Sequence, residues 1–339
     1  MNKHTRALQR LQVMKELGHE VKGLSYLPIG RQINASASLY YRIRHKLGFP
    51  PDLTRINCRL LEEVTTFKPD IIWLDKVNII KPNTYQKIRA ADSDLKIVYY
   101  SEDDIYLKHN RTQYLTYSLP AFDVVFYTKP RNAKELPRLG VKDSYCIYQA
   151  FDKHFHRPVV LSRQEQQDWA SDATFIGSYE QDRADKLFYL AENGIQVRVW
   201  GISWDKFSKQ HPNLKIEGKP LICDDYIKAI NAAKVNLSFL RKLNRDQHTS
   251  RSLEIPACGA FLLTERTLEH KVLFDEGLEA EYFSSNSEML EKVRYYLSHE
   301  AERRKIARQG RQRCLESDYS HHGRLSEMLA YIDSKKVAP

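Results

Sequence analysis

A short stretch in the second half of the chain carries the residues best suited to chemistry. Arg251 to Gly259 is typical of a short helix that begins at an arginine and ends at a glycine, followed by an apolar strand. The first turn of a helix presents unpaired N–H groups and the positive end of the helix dipole, which suit a phosphate. The Arg251 guanidinium can clamp the same anion, and Glu254 can accept hydrogen bonds from the hydroxyl pair of a sugar. The stretch therefore predicts a nucleotide-sugar site, and Gly259 is the glycine that ends its helix.

Further residues are predicted to border this site. Lys242 follows an apolar strand, and Gly177 follows another, with Arg183 one turn into the next helix. Ligands of open α/β sheets bind beyond the carboxyl ends of strands, so these groups stand where a diphosphate would lie. Asp246 precedes Glu254 by eight residues, and the two carboxylates could flank the bound sugar nucleotide. The alternative interpretation is an ordinary solvated loop, which most runs of charge are.

The first half of the chain offers a run of acids, Glu102 to Asp104, at the end of an apolar strand. We predict that Asp103 or Asp104 acts as a general base or orients an acceptor hydroxyl. Two alternatives stay open. Aspartates often cap the start of a helix, which would make the run structural. Glu102 and Asp104 also form an acid-x-acid pair that could hold Mg²⁺ or Mn²⁺, although the site we predict contains no metal.

These residues need a scaffold, and the chain alternates strand-like with helix-like patterns almost throughout. This alternation favours an α/β fold with mainly parallel sheets, and 339 residues exceed the usual size of one domain. We predict two doubly wound, Rossmann-like domains that face each other across a cleft. The predicted parts are an acceptor-side domain, a hinge, a nucleotide-sugar-binding domain and a final helix that packs back on the first domain, at residues 1–150, 151–171, 172–320 and 321–339.

The beginning of the chain departs from the usual doubly wound pattern. A helix over Thr5–Leu17 comes first, where such domains normally have a central strand and a glycine-rich turn. We expect that the first strand of this domain is missing, through a start placed too far downstream or a natural truncation; otherwise another segment fills the gap. The predicted strands of the first half are Val21–Tyr26, Asp70–Leu74, Leu95–Tyr100, Phe122–Phe126 and Tyr145–Tyr148, with helices at Ala35–Leu47 and Asn57–Phe67.

The second half repeats the alternation after a polar, aromatic stretch at 149–170 without periodicity. Its strands are rich in apolar and β-branched residues, and glycines follow several of them. The predicted strands are Asp172–Gly177, Val197–Trp200, Val235–Leu240 and Ala260–Thr264, and the predicted helices are Gln181–Asn193, Asp225–Ala233, Glu288–Ser298, Ala301–Glu316 and Gly323–Ser334.

The composition of the chain limits the classes of binding partner that we expect. The formal net charge is +10 and the sequence pI is near 9.2, which favours acidic partners such as nucleotide diphosphates or an anionic membrane surface. Aromatic and basic residues do not interleave, so no nucleic-acid partner is expected. Five scattered cysteines without a C-x-x-C pair, no opening signal peptide and no apolar run of about 20 residues indicate a soluble, cytoplasmic protein. At most it is peripheral at the inner membrane face, where the basic helix 301–316 could touch anionic lipid.

Several segments of the chain resemble a known protein family. The second half of the chain is similar to the C-terminal domain of CgeB-like (spore-maturation-type) glycosyltransferases of the GT-B superfamily. A weaker resemblance runs through the first half. The matching segments are Arg251–Thr264, Leu273–Gly277, Tyr282–Leu297 and Glu302–Glu316, then Gly18–Val21, Lys68–Asp70, Glu102–Asp104 and Gln149–Asp152.

The resemblance implies transfer of a sugar from a nucleotide donor, held by the second domain, to an acceptor held by the first. In related retaining enzymes with an E-x7-E pattern, the second glutamate contacts the ribose, and Glu254 matches that position. Asp246 falls at the first acid, where a glutamate would be expected. We therefore expect a metal-independent glycosyltransferase that uses a nucleotide-diphosphate sugar, an unidentified acceptor and no further cofactor.

Two other functions remain open on the sequence. A catalytically inert nucleotide- or carbohydrate-binding relative, or a scaffold, would bind nucleotide without turnover, and the absent first strand is the reason to consider it. A nucleotide-sugar epimerase on the same fold would convert the donor without any acceptor.

Overall fold

The computed structural model describes residues 5–26 and 39–334, and the chain divides into two compact units. The first unit contains residues 1–148 together with 325–339, and the second contains residues 149–324. Each unit is built on one parallel sheet with helices packed against it. The predicted α/β fold with parallel sheets is confirmed.

In the described part of the first unit, the sheet has four parallel strands that lie side by side in the order of the sequence. The apolar runs of the two central strands are almost wholly buried, as expected for a parallel sheet that is covered on both faces. The strands are β1 Ile71–Asp75, β2 Lys96–Ser101, β3 Val124–Tyr127 and β4 Ser144–Cys146, and the helices are α1 Arg6–Glu16, α2 Leu39–Lys46, α3 Ile56–Phe67, α4 Pro82–Ala91, α5 Gln113–Ser118 and α6 Asn132–Glu135.

The sheet of the second unit has six parallel strands, and its order reverses once. The chain moves outward through β5, β6 and β7, then returns to β8 on the other side of β5 and continues to β9 and β10. This is the doubly wound order that creates a ligand site at the reversal. The strands are β5 Ser171–Ile176, β6 Val197–Trp200, β7 Leu214–Ile216, β8 Ala233–Ser238, β9 Leu262–Glu265 and β10 Glu281–Phe283.

Eight further helices connect and follow these strands. Most pack an apolar side against the sheet of the second unit, and the last one extends into the first unit. The helices are α7 Arg163–Trp169, α8 Gln181–Glu192, α9 Cys223–Ala232, α10 Arg251–Ala257, α11 Leu268–Leu273, α12 Asn286–Ser298, α13 Glu300–Glu316 and α14 His321–Ser334.

Side chains of the first sheet alternate between two apolar clusters. Ile97 and Tyr99 of β2 pack with α3, α4 and α5 on one face. Val98 and Tyr100 point to the other face, where they pack with α1 and with the 325–332 part of α14. This period of two is what a strand buried on both faces requires.

One predicted strand is wrong, and several short elements were not predicted: helices α4, α5, α6, α7 and α11 and strands β7 and β10. Val21–Tyr26 pairs with no strand among the described residues, and side chains bind the end of its backbone. Arg59 donates to the Ser25 carbonyl at 3.0 Å and Thr54 donates to the Tyr26 carbonyl at 3.2 Å. Helix α7 lies inside the segment that was predicted as a hinge, and none of its residues is buried. The predicted helix Ala35–Leu47 is observed over α2, and its residues 35–38 lie outside the described residues.

Candidate functional site

The reversal of strand order in the second unit marks the place of the candidate site. Strands β5 and β8 lie side by side in parallel, and the chain leaves them in opposite directions across the sheet. The loop after β5 contains residues 177–180, and the loop after β8 contains residues 239–250. Ligands of doubly wound sheets bind in the crevice beyond the carboxyl ends of these two strands. The two loops therefore border the position where a ligand is expected.

Arg183, in the first turn of α8, links these two loops. Its side chain is only 2% exposed. One terminal nitrogen donates to the Ser178 carbonyl after β5 at 3.2 Å, and the other donates to the Phe239 carbonyl after β8 at 3.4 Å. Glu180 is the nearest acid, 3.4 Å from the guanidinium. The Nε atom is buried and has no hydrogen-bond partner among the described residues.

Arg251, the first residue of α10, stands beside Arg183. The two guanidinium carbons lie 5.7 Å and 5.9 Å from the centroid of the same ring, that of Phe175 in β5. The Nε atom of Arg251 is likewise buried without a hydrogen-bond partner among the described residues. Burial, and next the positive charge of Arg251, lower the pKa of Arg183 to about 10. Two like charges with unused donors create a site for an anion, because a buried donor without an acceptor is costly.

The predicted Lys242 lies on the exposed rim of the loop after β8. Its side chain is 70% exposed, and its ammonium group lies 3.1 Å from a carboxylate oxygen of Asp182. Arg241 next to it donates to Glu180 at 3.0 Å. These rim cations thus have acids from the first turn of α8 as partners, which Arg251 does not among the described residues.

Glu254 lies one turn into α10 and is nearly buried. One carboxylate oxygen accepts a hydrogen bond from the Tyr226 hydroxyl at 2.5 Å, and the other lies 3.9 Å from Nε2 of His156. Burial, and next the Glu254 carboxylate, raise the pKa of Tyr226 well above its ordinary value, so the phenol stays a donor. Tyr226 and Arg251 also line one small cavity among β5, β8, α9 and α10. The structure therefore brings Glu254 and Arg251 together.

Tyr226 and His156 were missed in the sequence. Tyr226 reads as an ordinary aromatic residue in an amphipathic helix, and His156 is one of several dispersed histidines. The backbone N–H of Asp152 donates to Nδ1 of His156 at 2.9 Å, which leaves the ring proton on Nε2, the nitrogen nearest Glu254. No local motif encodes either contact.

Asp246 shapes the loop in which it lies. It is nearly buried, and its carboxylate accepts hydrogen bonds from the Asn244 amide at 2.8 Å and from the Arg241 backbone at 3.3 Å. His248 fastens the same loop from the inside. Its Nε2 accepts a hydrogen bond from the Gln149 backbone at 2.9 Å, and its Nδ1 lies 2.6 Å from Glu269. These contacts hold the loop after β8 in place.

The two predicted glycines occupy different ends of the site region. Gly177 follows β5, and a Cβ there would meet the Phe175 ring at 2.6 Å. The loop after β6 also touches it, since a Cβ on Gly201 would lie 1.8 Å from the Gly177 oxygen. Gly259, with φ of 69°, ends α10 at the opposite end from Arg251. The structure brings Gly177 close to the arginines and leaves Gly259 as a helix terminator.

A larger cavity of about 220 Å³ lies elsewhere in the second unit. It runs between α9 and residues 154–165, and Lys228 and Glu165 on its wall form an ion pair at 2.8 Å. None of the predicted site residues lines it. Volume alone therefore does not identify the site, whereas the unpartnered arginine donors do.

The acids predicted in the first unit all have protein partners. Glu102 accepts hydrogen bonds from Arg6 at 2.6 Å and from Arg10 at 2.8 Å. Asp103 forms an ion pair with Lys76 and stays partly exposed. Burial alone would raise the pKa of Glu102, but the two arginines hold it well below its usual range.

Asp104 is fully buried. Its carboxylate accepts hydrogen bonds from the Asn132 amide at 2.8 Å and from the Tyr106 backbone at 3.1 Å. These bonds fix the turn after β2. Glu102 and Asp104, the acid-x-acid pair, thus bind different groups of the protein.

A buried arginine network at the edge of the first sheet was also missed. Arg10 of α1 donates to both carboxylate oxygens of Asp75, at 2.7 Å and 2.9 Å, in addition to Glu102. Its guanidinium lies 4.7 Å from the centroid of the Tyr100 ring. These partners are 65 and 92 residues away in the chain, so no spacing rule predicts them.

Comparisons with known proteins give a family match and several similar structures. Residues 183–330 match a family model described as glycosyl transferase-like, and no curated protein sequence matches the chain. A glycosyltransferase from Rickettsia africae is similar in structure, with a TM-score of 0.65 and 11% identity over 98% of this chain and 94% of that one. Sucrose-phosphate synthase from Thermosynechococcus elongatus has a TM-score of 0.60 and 13% identity over 87% and 80%. Anabaena HepE, in complex with UDP and glucose, has a TM-score of 0.59 and 12% identity over 94% and 88%.

At such identities the structural likeness shows the fold alone, which is an α/β fold with two Rossmann-like domains of the GT-B class. The family match covers most of the second unit, including Arg183, Arg251 and Glu254. The family match shows that residues 183–330 are glycosyl transferase-like. The CgeB-like subtype stays a prediction.

Proposed function

We propose that the protein transfers a sugar from a nucleotide-diphosphate donor, bound by the second unit, to a hydroxyl-bearing acceptor. The observation that carries the proposal is the pair Arg183 and Arg251, which flank Phe175 with buried Nε atoms that lack partners among the described residues. A diphosphate supplies both the negative charge and the oxygen acceptors that this pair lacks. HepE, which has the same fold, is seen with UDP, so UDP-sugars are the first donors to examine.

Each side chain then has a role that follows from its position. Arg183 and Arg251 stabilise the charge that develops on the leaving nucleoside diphosphate, which allows transfer without a metal ion. Glu254, held by Tyr226, binds the ribose hydroxyls. Asp246 keeps the loop after β8 in the shape that admits the donor sugar. The resemblance to CgeB-like enzymes favours a hexose or a related sugar as the transferred group.

Of the two acids predicted for the acceptor side, we assign the role to Asp103. Its carboxylate is 20% exposed and its partner Lys76 is a flexible side chain at the surface, whereas Asp104 is wholly enclosed. Asp103 would accept the proton of the attacking hydroxyl or orient it. The acceptor is a glycan, a protein or a lipid-linked sugar.

The decisive experiment replaces Arg251 with Ala and measures UDP binding by calorimetry and sugar release from UDP-sugars. We expect the dissociation constant to rise by about 100-fold, because charge-assisted bonds to phosphate are lost, and turnover to disappear. Arg198→Ala is the matched control, since Arg198 also lies over a ring, that of Trp200 at 4.7 Å, but is paired with Glu217 at 2.6 Å. Equal UDP binding by both variants would remove the proposed role of Arg251.

Metal independence has its own test. Because two guanidinium groups supply the positive charge, turnover in excess EDTA should equal turnover in added Mg²⁺ or Mn²⁺. Activity that disappears in EDTA and returns with a divalent cation would show that the arginines alone do not suffice.

A second candidate function is a nucleotide- or carbohydrate-binding protein without turnover. The engagement of Glu102 by two arginines, of Asp103 by Lys76 and of Asp104 by Asn132 favours it, since no acid of the run lacks a protein partner. This candidate predicts that calorimetry detects UDP binding while neither sugar transfer nor slow donor hydrolysis occurs. Measurable hydrolysis of a UDP-sugar that Arg251→Ala abolishes would exclude it.

A further inference from the structure

Helix α2 of the first unit exposes apolar side chains on one face. Leu39, Tyr40, Ile43 and Leu47 are 69%, 63%, 49% and 60% exposed. The turn continues past the helix end, because the Leu47 N–H donates to the Ile43 carbonyl at 3.0 Å. At 3.6 residues per turn, these four side chains fall within an arc of about 100°. They form one continuous apolar stripe, called here the α2 stripe.

The residues beside the α2 stripe are cationic. Arg42 and Lys46 are exposed, and residues 39–51 contain no acid. Helical geometry puts Lys46 and then Arg42 next to the Leu39 side of the stripe. An apolar stripe bordered by cations is the pattern of a helix that lies in the plane of a membrane interface.

The α2 stripe is held in place by α5. The Gln113 N–H donates to the Gly48 carbonyl at 2.8 Å, and Arg44 donates to the Tyr114 hydroxyl at 3.3 Å. Phe49 packs edge-on against the Tyr114 ring at 5.3 Å. Because the helix is already formed and anchored, insertion would not require ordering of this segment.

No helix within residues 5–26 and 39–334 is long and apolar enough to cross a bilayer. The sequence pointed to the basic helix α13 as the lipid contact, but Ile306, Ala307 and Gly310 on its apolar side are buried in the second unit. Helix α13 therefore offers charge without an apolar surface, whereas α2 offers both.

We propose that α2 docks the protein on an anionic membrane surface. The α2 stripe enters the boundary of the acyl chains, and Arg42 and Lys46 beside it contact the anionic headgroups. A protein partner fits less well, because four partly exposed side chains present less than the roughly 800 Å² that one partner contributes to a stable interface. The proposal does not depend on the glycosyl-transfer function.

Cosedimentation with lipid vesicles tests it. The wild-type chain should bind vesicles of phosphatidylcholine that contain about 30 mol % phosphatidylglycerol, should bind pure phosphatidylcholine far less, and should detach as salt rises. The double variant Ile43→Asp, Leu47→Asp should lower the partition coefficient at least about tenfold, because two apolar insertions are lost. Leu268→Asp, at an 81% exposed leucine of α11, is the matched control and should bind like the wild type.

A second pair of variants keeps the test independent of the apolar changes. Arg42→Gln and Lys46→Gln should each weaken binding to the anionic vesicles about fivefold and leave binding to phosphatidylcholine unchanged. Wild-type protein that stays in the supernatant with anionic vesicles, or an Ile43→Asp, Leu47→Asp variant that binds them undiminished, would overturn the proposal. If the wild type is a dimer that binds no vesicles and the double variant is a monomer, the stripe instead forms contacts between copies of the chain.

Discussion

Each unit buries an arginine near the carboxyl ends of its parallel strands, but the two arginines differ in their partners. Arg10 in the first unit donates to both oxygens of Asp75 and to Glu102, so its charge is balanced inside the protein. Arg183 in the second unit donates to two backbone carbonyls, and its Nε, beside a second arginine, Arg251, has no partner in the described part of the chain. Burial of a charge therefore does not identify a ligand site. A ligand site is indicated when buried hydrogen-bond donors lack an acceptor and lie beside a second positive charge.

The sheets explain why the two units differ. The described strands of the first unit follow one another in sequence order, so no reversal opens a crevice among them. In the second unit the reversal between β5 and β8 separates two loops, and Arg183 spans the gap. The same residue type thus stabilises the fold in one unit and is available to a ligand in the other.

The largest expected effect concerns the first unit. Arg10→Ala should lower the free energy of unfolding by about 3 kcal/mol, because Asp75 loses its two-bond partner and Glu102 keeps only Arg6 among the described residues. Arg251→Ala should change it by less than about 0.5 kcal/mol, because it removes a charge that forms no ion pair within residues 5–26 and 39–334. Urea unfolding measures both. A similar loss in the two variants would contradict the difference drawn between the arginines.

Ligand-induced stabilisation reverses that order. UDP at 100 times its dissociation constant should raise the free energy of unfolding of the wild type by about 2.7 kcal/mol. The increment should persist in Arg10→Ala and nearly vanish in Arg251→Ala, where binding is about 100-fold weaker. Urea unfolding with and without UDP separates the outcomes. An increment that survives in Arg251→Ala would place the nucleotide elsewhere.

The two units should also respond to different ranges of pH. His270 in the second unit donates to the Glu265 carbonyl and lies 2.8 Å from Ser252, and burial lowers its pKa from 6.5 to about 3. The unfolded chain binds a proton between these values that the folded chain does not. Stability is therefore complete above pH 6.5 and falls by up to about 1.4 kcal/mol per pH unit as the pH drops toward 3.

Glu102 in the first unit behaves differently. Its lowered pKa means that its contribution is present above the ordinary carboxyl range and is lost only below pH 4.5. Between pH 6.5 and 4.5, His270→Asn should therefore flatten the slope of unfolding free energy, and Glu102→Gln should lower stability without changing that slope. Urea unfolding at several pH values checks this, and an unchanged slope in His270→Asn would be the contrary result.

The smallest predicted effect belongs to Tyr226. Removing its hydroxyl in Tyr226→Phe leaves Glu254 without its 2.5 Å donor and should weaken UDP binding by about 1 kcal/mol, or about fivefold. Binding of a deoxyribose analogue of UDP should hardly change, because it lacks the hydroxyl that Glu254 is proposed to hold. Calorimetry with both nucleotides measures the preference. Equal losses for the two would assign Tyr226 to general packing.

Much of the fold was predictable because periodicity and breakers are local signals. The bounds of β6, Val197–Trp200, match the prediction, and the buried runs of β2 and β5 were found to within a residue at each end. Helix α7 escaped because it has no buried side, although Ser162 and Glu165 form a capping box that the sequence does display. Val21–Tyr26 was wrongly predicted as a strand, because its apolar pattern is typical of one but no described strand pairs with it.

The site was predictable in part. Gly177, Arg183 and Arg251 lie at strand ends or helix starts, so the sequence predicted that they border one site. The structure brings these three residues together. The partners that decide their roles are distant in sequence. Tyr226 reaches Glu254 across 28 residues, and burial alone distinguishes Asp104 from the partly exposed Asp103.

Helix α14 has a consequence for how the chain matures. Leu325, Met328 and Ile332 complete the apolar cluster that also contains Val13 and Val98 of the first unit. The whole of the second unit is synthesised between that sheet and these three residues, so until then α1 covers this face only in part. Apolar surface that stays exposed during synthesis is prone to aggregation, and α14 removes it last.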